Sequence, residues 1–169
     1  MDKEKQLLSL DIQFFSERKK NALTEHHIAP MPENGTEPDY MRLAKWVHTI
    51  EPDSDEEEED QAYYDGDGTP ETDVISVKKS WEAEGFYLDS DPAHKFIRSI
   101  ENKSGEARKI MYKQVRQNGD VLEAPATMTN IVTTGGPAEE YEPLRCTIKW
   151  DREPELTENG DDTGGGVEG

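Results

Sequence analysis

The sequence predicts a mainly β domain of the α+β kind, a β-sandwich or partly closed barrel with one short α-helix on its flank. Three observations carry this. Two stretches alternate with the period of two that a half-buried strand requires: Ile75, Val77, Trp81 and Ala83 against Ser76, Lys78, Ser80, Glu82 and Glu84, and Leu144, Cys146, Ile148 and Trp150 against Arg145, Thr147 and Lys149. One segment carries helix-start chemistry, Asp89-Ser90-Asp91-Pro92, which places a capping side chain before Pro at the first helical position. Phe96, Ile97 and Ile100 behind it form a narrow apolar stripe, suited to one short helix over about 91–101 lying on a sheet. Finally, Asn118-Gly119 between apolar runs is a two-residue hairpin signal. Several strands with a single helix point to a layered β fold.

Taken in order, residues 8–14 place Leu8, Leu10, Ile12 and Phe14 on one side and Ser9, Asp11 and Gln13 on the other. They read as a strand or extended arm, although Leu8, Ile12 and Phe15 also fit helical spacing. Residues 29–39 are turn and linker chemistry, because Pro30, Pro32 and Pro38 fix φ and remove donors while Asn34-Gly35 suits a tight turn. The folded body is therefore expected after them. Residues 42–50 read as a strand containing Trp46, and residues 51–73 as a long acidic loop, since burying an unpaired carboxylate costs several kcal/mol. Residues 74–87 form the longest expected strand. Residues 107–115 form another, leading through the hairpin toward Val121 and Leu122. Pro125 confines the next strand to an edge or a late start, at 127–133. After Gly135-Gly136-Pro137 the strand ending at Trp150 is the last, and the Gly-rich acidic ending is expected to be mobile. This divides the chain into an arm and linker (1–36), a β domain (37–150) and a flexible acidic tail (151–169). The expected core is Trp46, Ile75, Val77, Trp81, Phe96, Ile100, Cys146, Ile148 and Trp150.

The formal charge of −19 over 169 residues is concentrated. Residues 51–73 hold twelve acids and no Lys or Arg, residues 151–169 hold seven acids against Arg152, and the other 127 residues hold 19 acids against 18 bases. A near-neutral body with two acidic appendages suggests a scaffold that presents charge in particular places. Asp11 and Gln13 interrupt the apolar run at Leu7-Leu8-Ser9-Leu10 before a secretory or membrane-spanning segment is complete, so a soluble protein made in the cytoplasm is expected.

Motifs for chemistry are sparse. The single Cys146 excludes an intramolecular disulfide framework, and its place on an apolar parity makes it a packing residue. Asp65-Gly66-Asp67-Gly68 invites a calcium-loop reading, but Thr69 and Pro70 stand where the loop needs an oxygen ligand and Gly, so a plain turn is favoured. His26-His27 has no metal-ligand partner at helical or hairpin spacing and reads as an exposed pair. Without a phosphate loop, a nucleophile elbow or a carboxylate pair in a tuned context, no enzyme activity, metal or cofactor is expected. Arg108, Lys109, Lys113 and Arg116 cluster on one expected strand around Tyr112. They read as a nucleic-acid surface, a solvated face, or the cationic partner of the acidic run in a neighbouring copy.

The run Glu37-Pro38-Asp39-Tyr40-Met41-Arg42-Leu43-Ala44-Lys45-Trp46, an acidic spacer, and Tyr64-Asp65-Gly66-Asp67-Gly68 together resemble the front half of major tail tube proteins of long, flexible-tailed phages of Gram-positive bacteria. The passage from Trp81 through Gly85 and Tyr87 into Asp91-Pro92-Ala93-His94-Lys95-Phe96 is similar to the strand-to-helix passage of that family, and Leu10-Asp11-Ile12-Gln13-Phe14-Phe15-Ser16-Glu17 resembles the opening of many phage structural proteins, capsid proteins included. The resemblance implies a β-sandwich flanked by a helix, stacked rings of six, and an early long loop contacting the next ring. It also implies a virion location after assembly in the host cytoplasm, no membrane, and tape measure, tail terminator and distal tail proteins as partners. DNA would cross the lumen without specific binding, as suits a net acidic conduit for a polyanion. On this reading Asp53, Asp55, Glu56, Glu57, Glu58, Glu59 and Asp60 dock on Lys78, Lys79, Arg108, Lys109, Lys113 and Arg116 of a neighbour. The alternatives are another virion protein, such as a head-decoration or capsid-associated protein, and an acidic DNA-mimic binding module.

Overall fold

A computed structural model describes residues 19–159 apart from 34, 63 and 68. The readings of residues 8–14 and 160–169 therefore lie outside the described residues. The elements are β1 (Glu25–Pro30), β2 (Met41–Arg42), β3 (Val47–Gln61), β4 (Glu71–Phe86), α1 (Pro92–Ile100), β5 (Lys109–Val115), β6 (Val121–Val132), β7 (Pro143–Trp150) and β8 (Glu155–Thr157), with 3-10 turns at Asn21–Leu23 and Gly105–Arg108. One antiparallel sheet runs β2-β1-β5-β6-β7-β4-β3, with β8 added to β6. Its ends do not pair, so the sheet is not closed. It is curled, however. β1 and β4 are three strands apart, yet His26 and Trp81 meet edge to face at 5.7 Å, and Tyr112 and Trp150 at the same spacing.

Alternation drives this packing. On β5, Ile110, Tyr112 and Gln114 face inward, on β6 Leu122, Ala124, Ala126 and Met128, and on β7 Leu144, Cys146 and Ile148. α1 lays Ala93, Ile97 and Ile100 on that face, with Phe96 packed at its margin. The Asp91 carboxylate caps α1 by accepting from the Ala93 and His94 amides at 2.9 and 3.2 Å, and Pro92 opens the helix. Gly119 turns the β5–β6 hairpin at φ 89, a conformation that suits a residue without Cβ.

Several expectations change. The body begins earlier than residue 37, because β1 pairs with β5 along its whole length from Glu25 to Pro30. His26 is buried rather than exposed, its Nδ1 2.6 Å from the Tyr112 hydroxyl, and burial lowers its pKa to about 4. The strand expected over 42–50 is broken: Trp46 takes φ 59, the Val47 amide closes a turn on the Ala44 carbonyl, and Trp46 stands 58% exposed outside the core. Pro125 lies inside an unbroken β6. Its carbonyl accepts from the Asp151 amide, so its missing N–H faces the gap between the β7 partners, which begin at Ala126, and the β8 partners, which end at Glu123. The tail is ordered as far as β8, where Glu155, Leu156 and Thr157 pair with Glu123, Leu122 and Val121.

The largest correction concerns residues 51–73. Residues 51–61 and 71–73 belong to the strands of a β-ribbon, and the loop is confined to the connection between them: β3 pairs with β4 from Val47 to Gln61, with irregularities between Val47 and Thr49 and between Glu57 and Glu58. Carboxylates must stay hydrated, but that constraint does not extend to the backbone. A ladder satisfies backbone groups while leaving the side chains in water, and adjacent hydrated carboxylates repel by only about 0.5 kcal/mol per pair.

Candidate assembly surface

The ribbon stands beyond the body because its neighbour ends. β7 pairs with β4 only from Ser80 to Phe86, leaving residues 71–79 of β4 with β3 as sole strand partner among the described residues. Nine residues at strand rise carry it about 30 Å past the sheet. Thr72 Oγ1 donates to Asp60 at 2.6 Å, the Ser80 hydroxyl to the Asp53 carbonyl, and at the tip the Thr69 amide to Asp67 Oδ1 at 2.9 Å.

Register separates the faces. Asp53, Asp55 and Glu57 stand opposite Ser80, Lys78 and Ser76, whereas Pro52, Ser54 and Glu56 stand opposite Trp81, Lys79 and Val77. A bulge between Glu57 and Glu58 then sets Val74 opposite Glu58, on the same face as Val77, with Ile75 as the extra residue. Ile75 and Val77, expected in the core, are 57% and 48% exposed, and Val74 is 52% exposed. Their parity matches Trp81, but among the described residues no strand or helix packs over them, and Val77 borders an open cleft with Trp150, Asp151, Arg152 and Glu153.

The expected cations are not gathered as one docking face. Lys78 and Lys79 lie on the ribbon itself, opposite Asp55 and Ser54. Arg108 belongs to the 3-10 turn, donating to the carbonyls of Lys103 at 2.7 Å, of Met128 at 3.4 Å and of Glu101. Lys109 Nζ bonds Asp151 at 2.8 Å, which raises its pKa, and Lys113 Nζ sits 3.9 Å over the Tyr40 ring. Arg116 lies past β5 at the hairpin turn, its amide on the Asp120 carbonyl. Cys146 is buried, and desolvation pushes its thiol up to about 12, so it is not poised as a nucleophile.

Two features escaped sequence reasoning. Exposed aromatic contacts lie at the end of the β3–β4 pair away from the projecting ribbon, with Phe86 between His48 at 5.8 Å and Tyr141 at 5.9 Å. Arg98 ties α1 to the β6–β7 connection: its guanidinium stacks 3.3 Å over Tyr87 and donates to the Thr133 carbonyl at 2.7 Å and to Glu142 at 2.8 Å. Both depend on contacts between distant segments, which no local pattern announces.

No protein-family model matches the chain, and no curated protein matches its sequence. Solved structures do match its fold. A chain of the tail of an empty gene transfer agent particle, refined helically with C6 symmetry, aligns at TM-score 0.63 and 12% identity over 83% of this chain and 99% of that one. A chain of the native gene transfer agent virion aligns at 0.61 and 10% over the same shares. The tube-terminating cap of the anti-feeding prophage aligns at 0.53 and 11%, covering 91% of this chain and all of that one (100%). At these identities the likeness is one of fold.

Proposed function

We propose that this chain is a structural subunit of a phage-type tail tube, assembling with itself into stacked rings of six that form a conduit for DNA ejection in a long, flexible tail. The observation that supports the reading is the fold shared along nearly the whole of a gene transfer agent tail chain, in a particle with C6 symmetry. The subunit is non-catalytic: its one thiol is a packing group. The acidic ribbon is the element that reaches a neighbour in the next ring. The virion is the site of action, and tape measure, terminator and distal tail proteins are the partners. DNA passes a lumen that holds it nowhere, because the subunit's net charge opposes phosphate binding.

Negative-stain microscopy of the purified full chain tests this. Rings or tubes formed by the protein alone are the expected result. A monomer at every concentration and salt tried, or capture by phage heads or by a basic partner, would overturn it.

A further inference from the structure

The sheet has an open seam. β2 and β3 are its two ends, and among the described residues neither pairs with a strand on its outer edge. A cavity of about 220 Å³ lies between these ends, with Leu43, Val47 and Ile50 as its apolar wall, Ala22 from the 3-10 turn at its margin, and the buried His26 beside them. An apolar cavity of about 150 Å³ takes up benzene, so this one has room for an aromatic ring. His48 borders the cavity and also a second, open cleft, where Phe86, Val132 and Tyr141 stand 38%, 39% and 77% exposed. That cleft is on the outer face, because Phe86 alternates with the buried Gly85 and Ala83. Glu84 there is paired with Arg145 at 3.5 Å, while Glu140 has no ion pair among the described residues.

The sequence holds one period-two stretch that none of β1 to β8 accounts for. Leu8, Leu10, Ile12 and Phe14 alternate with Ser9, Asp11, Gln13 and Phe15, so on an extended backbone the two aromatic rings point to opposite faces. This stretch lies outside the described residues, and the chain that follows it enters the body at the cavity itself, whose wall includes Asn21, Ala22 and Thr24. Phe14 precedes Asn21 by seven residues. That is roughly 24 Å of extended chain, ample for a return into the seam. We propose that residues 8–15 of the same chain fill the seam as an added strand on the outer edge of β3 at Val47–Ile50, with Phe14 in the cavity and Phe15 against Phe86 and Tyr141. Charge agrees with this seat, because Arg18, Lys19 and Lys20 follow the aromatic pair and the cleft offers Glu140. The added strand covers a free sheet edge and the apolar wall beneath it. The contact is internal to one chain and holds whether or not copies assemble.

Disulfide trapping in the full chain at high dilution tests this. Phe14→Cys with Ile50→Cys is oxidised by glutathione disulfide and read by non-reducing denaturing electrophoresis and mass spectrometry; the native Cys146 is buried and does not compete. An intrachain disulfide should form in most molecules. Gln13→Cys with Ile50→Cys, on the opposite parity, should form about tenfold less, since its Cβ points away. Independently of any cysteine, Phe14→Ser should lower the melting temperature by about 3 to 10 °C, and Gln13→Ser should leave it unchanged. Cross-linking only between chains would put the segment on a neighbouring copy and overturn the proposal. So would equal trapping from Gln13 and Phe14, no disulfide at all, or a Phe14→Ser melt that matches wild type. A wild-type chain that forms no rings would remove the tube-subunit reading and leave this one standing.

Discussion

A single strand, β4, passes through two environments. From Ser80 to Phe86 it lies between β3 and β7, where Ala83 is buried and Trp81 packs against His26 and Trp150. From Glu71 to Lys79 it pairs with β3 alone among the described residues, and Val77 and Ile75, on the same alternation, are about half exposed. The pattern of residues is continuous while the energetics are not. Burial is a property of what lies across from a side chain, and β4 outlasts its neighbour. The body therefore carries the buried contacts of the fold, and the ribbon presents charge and apolar side chains to solvent.

The sharpest way to break this comparison is to truncate matched positions on the two halves. Trp81→Ala should lower the unfolding free energy by about 3 to 5 kcal/mol, whereas Val77→Ala should lower it by less than about 0.5 kcal/mol, as for a surface site. Equal costs at the two positions, read from urea unfolding, would erase the distinction between body and ribbon.

Acid should act on the body first. His26 titrates near 6.5 when unfolded and about 4 when folded, so its neutral form stabilises the native state above pH 6.5, and that stability is lost as pH falls from 6.5 toward 4. The full contribution is about 3 kcal/mol. Melting His26→Phe beside wild type at a series of pH values should show a shallower decline across this window in the variant. Parallel declines would mean that His26 is not held neutral by its burial.

A smaller effect is expected at Cys146. Its thiol lies among Ala83, Leu144 and Ile148, so Cys146→Ser places a hydroxyl in an apolar site at a cost of about 1 to 3 kcal/mol. Tubes should still form, and a loss of DNA passage through intact tubes would contradict its assignment as packing. The smallest effect on folding belongs to the acidic run. Replacing Asp55, Glu56, Glu57, Glu58 and Glu59 with Ser and Gln should leave subunit stability within about 0.5 kcal/mol while changing the rate of assembly and its salt dependence. Assembly at the wild-type rate from low to high salt would reduce the run to a solvated surface.

Composition and spacing by themselves determined much of this molecule. The mainly β class followed from alternation in β4 and β7, the helix from Asp91, Pro92 and the stripe at Phe96, Ile97 and Ile100, and the β5–β6 hairpin from Asn118-Gly119, because each rests on neighbours within one or two turns of chain. What lay between distant segments was decided only by the tertiary structure. The residue pattern of β1 looked like linker until β5 supplied its ladder, and Pro125 looked like a barrier until its missing donor fell in the gap between β7 and β8. The acidic run looked like a loop because its side chains must stay wet. Its backbone could still pair, and only the length of β4 relative to β7 decided that it projects from the body with an apolar row on one face. Local sequence specifies conformation and parity, but the identity of the layer across from a residue, and hence whether that residue is core or exposed, comes from where other strands end.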